Sequence, residues 1–313
     1  MEDRRFDAHT HFISPEVVQW LKEEQKHIPV HWGDNGKMLT INHQWGFGLK
    51  DEFIDPNAYL KAQHQAGVSH SLVSPIPQLF LYDVEATITK ELSRLYNDAL
   101  SRWVSEHSAR LSALATVPLN QPEQAALELR RAMQRGLKGA IIGPSVGQKL
   151  LTDESLIPFW EEADALGAIL FIHPLLCDDP RLQGRRMANL IGVPWETTIC
   201  ATDLLLSGWM DRYPRVRLLL AHGGGFLPYQ IGRLQKGYEM WRPVAASLQA
   251  PPTDYLRRFW FDTVLWDSRA LQLLIDLVGK ERVLPGSDFP FDLSHWPPVQ
   301  PSLEAVQAFL SLP

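Results

Sequence analysis

The stretch AILFIH, residues 168–173, has five apolar residues that lead into a histidine. A strand that is buried on both faces of a parallel sheet has this continuous apolar pattern. The stretch VRLLLAH, residues 216–222, is likewise apolar except for Arg217 and also ends in a histidine. These two stretches predict a parallel sheet that is covered by helices.

Six further short β-rich runs bring the predicted strands to eight. The predicted strands are Arg5–Phe12, Val68–Pro75, Leu111–Leu119, Leu137–Gly143, Ala168–His173, Val216–His222, Trp260–Val264 and Val283–Asp288. Helical patterns over Glu123–Arg135, Glu154–Leu166 and Arg269–Val278 each end at a glycine that precedes a strand. This alternation predicts the α/β class, as a (β/α)8 TIM barrel. The first strand is not followed by Gly-x-Gly-x-x-Gly, which argues against a dinucleotide-binding sheet.

Two long segments interrupt the alternation, after the first and fifth strands. They are Ile13–Pro56 and Leu175–Thr198, and both follow the carboxyl end of a strand, where barrel enzymes build their active sites. We expect residues 1–313 to form one barrel domain with an insertion at about 13–56, since such barrels reach this length.

The composition is that of an ordinary globular protein, with 45% hydrophobic residues and a net charge of −6. The acidic balance and the lack of a basic run give no support to a nucleic-acid partner. No stretch has 18 uncharged apolar residues, and the N-terminus lacks an apolar signal segment, so we expect no membrane association. Only Cys177 and Cys200 are present, which fits a reducing cytoplasm.

The stretch DAHTH, residues 7–11, ends the first predicted strand. Residues two apart point to the same face of a strand, so His9 and His11 are expected to project together into the mouth of the barrel. Paired neutral imidazoles suit a metal such as zinc. The alternative is a pair of structural histidines on an ordinary strand.

Two more histidines end the fifth and sixth strands. His173 follows five apolar residues and needs a polar partner, which could be a metal or a backbone carbonyl. His222 precedes three glycines, which allow either close approach to a ligand or simply a tight turn. We interpret His222 as an acid/base group beside the metal.

Asp288 lies in the stretch GSDFPF, residues 286–291, at the end of the eighth strand. It could cap a helix or act as an anionic metal ligand. Three histidines and this aspartate would leave one coordination position open, as a catalytic metal requires. We therefore predict one divalent ion held by His9, His11, His173 and Asp288, with zinc expected and manganese also compatible.

Together these stretches resemble the amidohydrolase superfamily. Within it they are most similar to the branch of metal-dependent decarboxylases that contains aminocarboxymuconate-semialdehyde decarboxylase. The resemblance covers nearly the whole chain and includes LPYQIGR, residues 227–233. It implies the same four metal ligands, with His222 and Asp288 catalytic. The bridging lysine of two-metal relatives is missing from IGPS, residues 142–145, which favours one metal.

The resemblance also implies a homodimer in which Arg233 contacts a substrate carboxylate across the interface, where a guanidinium can pair in bidentate fashion. The alternative for Arg233 is a surface salt bridge. A second arginine of the muconate decarboxylase is absent from QWGFGL, residues 44–49, where Lys50 is an imperfect substitute. An apolar or aromatic acid is therefore expected in place of a dicarboxylate.

Aromatic residues near the predicted mouth are candidates for an apolar substrate wall, namely Trp45, Phe47, Trp195 and Phe291. Asp7 and Asp262 are candidates to orient the ligands or His222, or else to cap strand ends. The last predicted helix, Leu303–Leu312, lies close to Pro313, whereas family members usually continue for about another helix.

Two chemistries fit these residues. The first is non-oxidative decarboxylation of a conjugated or aromatic carboxylic acid. The second is metal-dependent hydrolysis of a lactone, ester or amide. A third hypothesis, a non-enzymatic metal-binding barrel, requires His222 to be idle.

Overall fold

The computed structural model describes residues 5–24, 27–41 and 46–311. Within these ranges eight parallel strands follow one another around a barrel. They are Arg5–His11 (β1), Val68–Ser74 (β2), Leu111–Ala113 (β3), Gly139–Ile142 (β4), Ile169–Ile172 (β5), Arg217–Leu220 (β6), Trp260–Asp262 (β7) and Val283–Leu284 (β8). Each strand ends earlier than predicted, because the chain turns out of the sheet where the polar residues of the mouth begin.

The barrel is closed by bridges between two sheets. Strands β1 to β3 form one sheet and β4 to β8 the other. Isolated parallel bridges join Ala115 to Ala140 and Thr10 to Phe289. The backbone N–H of Ala8 also donates to the carbonyl of Pro285, at 2.7 Å. The predicted (β/α)8 barrel is confirmed.

In the described part of the chain, eight main helices lie outside the strands, one after each strand. They are Pro56–Gln65 (α1), Ala86–Glu106 (α2), Pro122–Gln134 (α3), Ile157–Leu166 (α4), Val193–Leu206 (α5), Leu227–Met240 (α6), Ser268–Val278 (α7) and Leu303–Ser311 (α8). Local sequence sets their ends: the Asp267 carboxylate caps α7 by accepting from the Arg269 N–H, and Gly167 ends α4 in a left-handed conformation.

The segment between β1 and α1 has structure of its own. It contains the helix Pro15–Glu23, an antiparallel sheet of Val30–Gly33, Met38–Ile41 and Phe47–Gly48, and the helix Asp51–Ile54. The segment after β5 contains short turns at Pro180–Leu182 and Ala188–Gly192. Its predicted end at Thr198 is wrong, since α5 already begins at Val193, with Pro194 in its first turn.

Short elements complete the described part of the chain. They are the helices Trp209–Arg212, Arg242–Ala245 and Pro252–Leu256, the hairpin Ser145–Val146 with Lys149–Leu150, and the 3-10 turns Asp34–Gly36, Pro77–Leu79, Glu154–Leu156, His222–Gly224 and Lys280–Arg282. None of the helices in the described ranges is long and apolar enough to cross a bilayer.

Apolar side chains fill the inside of the barrel below the mouth. The buried cluster there contains Phe6, Ala8, Leu72, Leu114, Ile141, Phe171, Leu219 and Leu284. Each large side chain buried in this way contributes about 1.5–3 kcal/mol to folding. A larger cluster packs the helices on the outer face of the strands. The barrel is therefore a solid support on which the mouth is built.

Candidate metal centre

An irregularity at the end of β1 brings its histidines into the barrel. Asp7 pairs with Ser71 and Thr10 with Val73, so three steps along β1 match two along β2. Ala8 belongs to the interior cluster, and the next residue, His9, also packs inward, with its ring 4.9 Å from that of Phe171. Such a bulge re-aims side chains and is common beside active sites.

The four predicted ligands converge. The Nε2 atoms of His9 and His11 each lie 3.2 Å from Asp288 Oδ1, and His173 Nε2 lies 4.0 Å from it. One ligand atom from each residue falls within 4.8 Å of all the others. Ligands at zinc-like bond lengths in a tetrahedron lie roughly 3.4 Å apart. The cluster therefore has the dimensions of a single-ion metal site, and a metal site is present here.

Each histidine presents Nε2 to the centre because Nδ1 has a hydrogen-bond partner elsewhere. His9 Nδ1 lies 2.6 Å from Asp262 Oδ2. His11 Nδ1 donates to the carbonyl of Pro75 at 3.1 Å, and His173 Nδ1 to the carbonyl of Pro174 at 2.8 Å. A carbonyl can only accept, so these contacts fix the tautomers and leave the Nε2 lone pairs facing inward.

In the four ligand residues, two buried atoms have no hydrogen-bond partner among the described residues: His173 Nε2 and Asp288 Oδ1. A buried polar atom without a partner is costly, by about 1–3 kcal/mol. Both atoms can donate a lone pair to a cation at the common centre. The donor set of imidazoles and one carboxylate thus fits a divalent ion of the zinc or manganese type.

The electrostatics agree with this donor set. Burial lowers the pKa of His11 and, together with the neighbouring histidines, holds the pKa of His173 well below its usual value. These two rings are therefore neutral and able to bind a metal. Burial also acts to lower the pKa of His9, but the carboxylates of Asp288 and Asp262 outweigh it and raise the pKa to about 10. The site favours positive charge between these carboxylates.

Asp262, at the end of β7, is fully buried and joins three parts of the site. It contacts His9 Nδ1 and accepts the backbone N–H groups of His222 at 2.9 Å, Gly223 at 2.9 Å and Val264 at 3.0 Å. Burial alone would raise its pKa, yet the charge and hydrogen bond of His9 hold the pKa below its usual value. Asp262 is therefore an ionised support for both His9 and His222.

Asp7 has a different position from the other predicted carboxylates. Its oxygens accept the backbone N–H of His9, at 3.1 Å, and the Ser287 hydroxyl, at 2.5 Å. Burial raises the pKa of Asp7 to about 7, although these hydrogen bonds act to lower it. Asp7 thus fixes the backbone of β1 against the loop after β8, and it does not contact the His222 ring.

His222 lies beside the four ligands. Its Nε2 is 3.6 Å from Asp288 Oδ2, and its ring centroid is 5.1 Å from that of His173. The following glycines are required by space, since a Cβ on Gly225 would lie 2.2 Å from the carbonyl oxygen of Pro194. The tight turn therefore holds His222 at the mouth, outside the ligand set.

Of the described residues predicted to contact the substrate, only Phe291 and Phe47 lie at the metal centre. Phe291 lies against His11, with ring centroids 5.3 Å apart, and Phe47 packs on Phe291 at 5.4 Å. Trp195 instead packs under the guanidinium of Arg181. Arg233 is exposed on α6 and forms no ion pair with a described residue. Trp45 lies outside the described residues.

Lys50 is occupied elsewhere. Its ammonium group donates to the carbonyl of Pro290 and pairs with Asp292, both at 2.9 Å. Lys50 therefore holds the loop after β8.

Sequence reasoning missed Trp266, whose ring is stacked on His222 with centroids 6.5 Å apart. A single tryptophan in a loop carries no periodicity that would reveal it.

The centre is open on one side. The side chains of His9 and His11 are fully buried, whereas those of His173, His222 and Asp288 keep small exposed fractions of 7–12%. A small molecule can therefore approach past these three residues.

The fold and these residues define a metal-dependent barrel enzyme site with an open face and an adjacent histidine. The chain belongs to the amidohydrolase family, which it matches over residues 6–311. It is accordingly an enzyme of the amidohydrolase superfamily, as the sequence predicted.

Similar proteins carry decarboxylase names. 2-Amino-3-carboxymuconate-6-semialdehyde decarboxylase of Dictyostelium discoideum is 31% identical over 314 residues, which cover 97% of this chain and 86% of that protein. The structure of 5-carboxyvanillate decarboxylase from Sphingomonas paucimobilis is 24% identical and has a TM-score of 0.79, over 99% of this chain and 93% of that one. Dihydroxybenzoic acid decarboxylase from Polaromonas sp. JS666, described with bound manganese, is 22% identical with a TM-score of 0.74, over 92% and 87% of the chains. The two structures establish the shared fold.

Removal of a ligand tests the metal centre. His9→Ala should reduce the bound metal from about one equivalent per chain to a small fraction, because the site loses a donor buried between two carboxylates. Elemental analysis after dialysis measures this content. His64→Ala, which alters an exposed histidine on α1, should leave the content unchanged. Equal metal content in all three proteins would refute the ligand set.

Asp262→Asn tests the support beneath the ligands. The amide keeps one accepting oxygen but turns N–H groups toward donors, so His9 should lose its orientation. We expect metal affinity to fall about 10–100-fold, as measured by chelator competition. Asp254→Asn, at an exposed position, is the control. Unchanged affinity in Asp262→Asn would mean that this carboxylate does not orient the site.

Proposed function

We propose that this enzyme is a metal-dependent non-oxidative decarboxylase that acts on a conjugated or aromatic carboxylic acid. The observation that carries the proposal is the position of His222, whose Nε2 faces Asp288 Oδ2 at 3.6 Å, next to the metal ligands but outside them. Such a histidine can move a proton at the site of reaction. The decarboxylase names of the similar proteins support the same chemistry.

The reaction replaces a carboxylate by a hydrogen. His9, His11, His173 and Asp288 would hold a divalent ion, which would supply Lewis-acid polarisation of the substrate oxygen atoms. The carbon–carbon bond to the carboxylate breaks, its electron pair stays on the substrate carbon, and CO2 leaves. A proton held at His222 Nε2 then forms the new C–H bond. The Asp262 carboxylate accepts the His222 backbone N–H and so fixes the backbone from which the His222 side chain extends.

The apolar wall favours a ring or a conjugated chain as substrate. Phe291 and Phe47 pack together beside His11. Lys50 is paired with Asp292 and is not available for a second substrate carboxylate. Hydrolysis of a lactone, ester or amide is the alternative, and it is an outcome of the experiment below.

We propose one zinc ion as the resident metal, with manganese as the alternative. The three imidazoles suit zinc, and the carboxylate suits either ion. The end of β4 reads Ile142-Gly143-Pro144-Ser145 and offers no bridging group for a second ion.

We further propose a homodimer in which Arg233 reaches the substrate of the partner subunit. Large apolar side chains are exposed on α6 and near it, with Tyr229 at 78% on α6, Phe226 at 37% just before α6, and Ile199 at 37% on α5. The two helices are adjacent, since the Phe226 N–H donates to the Thr198 hydroxyl at 2.7 Å. An exposed apolar surface of this kind is typical of a subunit interface, and Tyr229 and Arg233 lie one helical turn apart on it.

Two expectations about the whole chain are also part of the proposal. Residues 1–313 form a single catalytic domain. The enzyme works in the cytoplasm, since Cys177 and Cys200 are both free thiols, as expected in a reducing compartment.

Release of CO2 decides between the two chemistries. The metal-loaded protein should release CO2 anaerobically, without added cofactor, from at least one acid in a panel of aromatic and muconate-type acids. His222→Asn should lower kcat about 10²–10⁴-fold and retain the metal, because it removes proton transfer only. Turnover of lactones without CO2 release would establish the hydrolase alternative.

Arg233→Ala tests both the residue and the dimer. Loss of a buried pair with the substrate carboxylate should raise KM about 100-fold, while the mass of the dimer stays unchanged. Co-expression of Arg233→Ala with His9→Ala should restore part of the activity, because one site of the mixed dimer is then complete. No restoration would mean that Arg233 does not act across the interface.

A further inference from the structure

Three consecutive strands of the barrel are followed by a non-glycine residue with left-handed backbone. His222 follows β6 with φ 54°, Trp266 follows β7 with φ 55°, and Asp288 follows β8 with φ 63°. This conformation is unfavourable for residues that carry a Cβ, and it persists where the surrounding structure enforces it, often at functional sites. Trp266 therefore shares a backbone feature with two residues of the reactive centre.

The Trp266 ring is held in place although it is exposed. Its plane lies within 14° of that of His222, with centroids 6.5 Å apart. Its Nε1–H donates to the carbonyl of Leu293 at 2.9 Å, yet 53% of the residue is exposed. A tryptophan that only filled the core would be buried. Here an anchored indole borders the open side of the centre.

The loop that carries Trp266 is built on the same supports as His222. The Asp262 carboxylate accepts the Val264 N–H as well as the His222 N–H. Leu265 packs so closely on the turn after His222 that a Cβ on Gly223 would lie 2.6 Å from its side chain. Trp266 and His222 are therefore positioned relative to each other by one carboxylate and one close contact.

We propose that Trp266 is a substrate-specificity residue: its indole face stacks on the planar ring of an aromatic carboxylic acid and aligns the reacting carbon with His222. The proposal rests on the proposed function, since it names the substrate class of the same site. Offset stacking of two flat rings adds attraction that a puckered saturated ring of similar size does not gain. Trp266 thus discriminates planar acids from aliphatic ones.

Binding of a matched pair of acids tests this, with salicylate as the planar acid and cis-2-hydroxycyclohexanecarboxylate as its saturated counterpart. Calorimetry on the metal-loaded protein should show tighter binding of salicylate. Trp266→Ala should weaken salicylate about tenfold and leave the saturated acid nearly unchanged. Trp266→Phe, which keeps a flat face, should retain most of the preference, whereas Trp266→Leu should not.

Trp241→Ala is the control. Trp241 is also exposed, at 62%, and it follows the far end of α6, about 20 Å along that helix from the mouth. The Trp241→Ala protein should bind both acids with the affinities of the wild type. An equal effect of Trp266→Ala on both acids, or no effect on either, would overturn the proposal. If the alanine variant folds poorly, Trp266→Phe and Trp266→Leu still test the proposal, because they differ little in bulk but only the phenylalanine should keep the preference for salicylate.

Binding and turnover separate this proposal from the proposed function. Salicylate preference that depends on Trp266, in a protein that releases no CO2 from any acid, would refute decarboxylation and leave the stacking role intact. CO2 release from an aromatic acid with an unchanged KM in Trp266→Ala would refute the stacking role alone.

Discussion

The site depends on one buried carboxylate, that of Asp262. Transfer of an ionised carboxylate from water into a protein interior costs several kcal/mol unless donors replace the lost water. Three backbone N–H groups and the His9 ring do so here, and they come from three different strands or strand ends. Because these donors can satisfy the charge only in one arrangement, the carboxylate fixes β1, the turn after β6 and the loop after β7 relative to one another.

The barrel below supplies the rigidity that this arrangement needs. Phe171 and Leu219 fill its interior, and the His9 ring rests directly on Phe171. Close-packed interiors resist small displacements, so the positions of the ligand atoms follow from the positions of the strands. The loops of the mouth can then adopt unfavourable backbone at His222 and Asp288, since the packed strands on either side hold their ends.

The sequence predicted strands such as β5 because both of their faces are covered, which leaves a near-continuous apolar run. It also predicted the ligands, because a histidine such as His173 at the end of such a run has few explanations. The bulge at Ala8 and His9 was not predictable, since an extra residue in one strand depends on the register with its neighbour. The sequence offered Asp262 both as a residue that orients the ligands or His222 and as a strand-end cap, and only the contacts between distant loops decide between the two. The position of Trp266 was not predictable, because it depends on such contacts alone.

The two carboxylate oxygens of Asp288 face different partners. Its Oδ1 atom faces the histidines of the ligand set, at 3.2 Å from two of them, whereas Oδ2 faces His222. Burial would raise its pKa, but the surrounding histidines hold the pKa well below its usual value. The carboxylate is therefore ionised at neutral pH and has two faces with different partners.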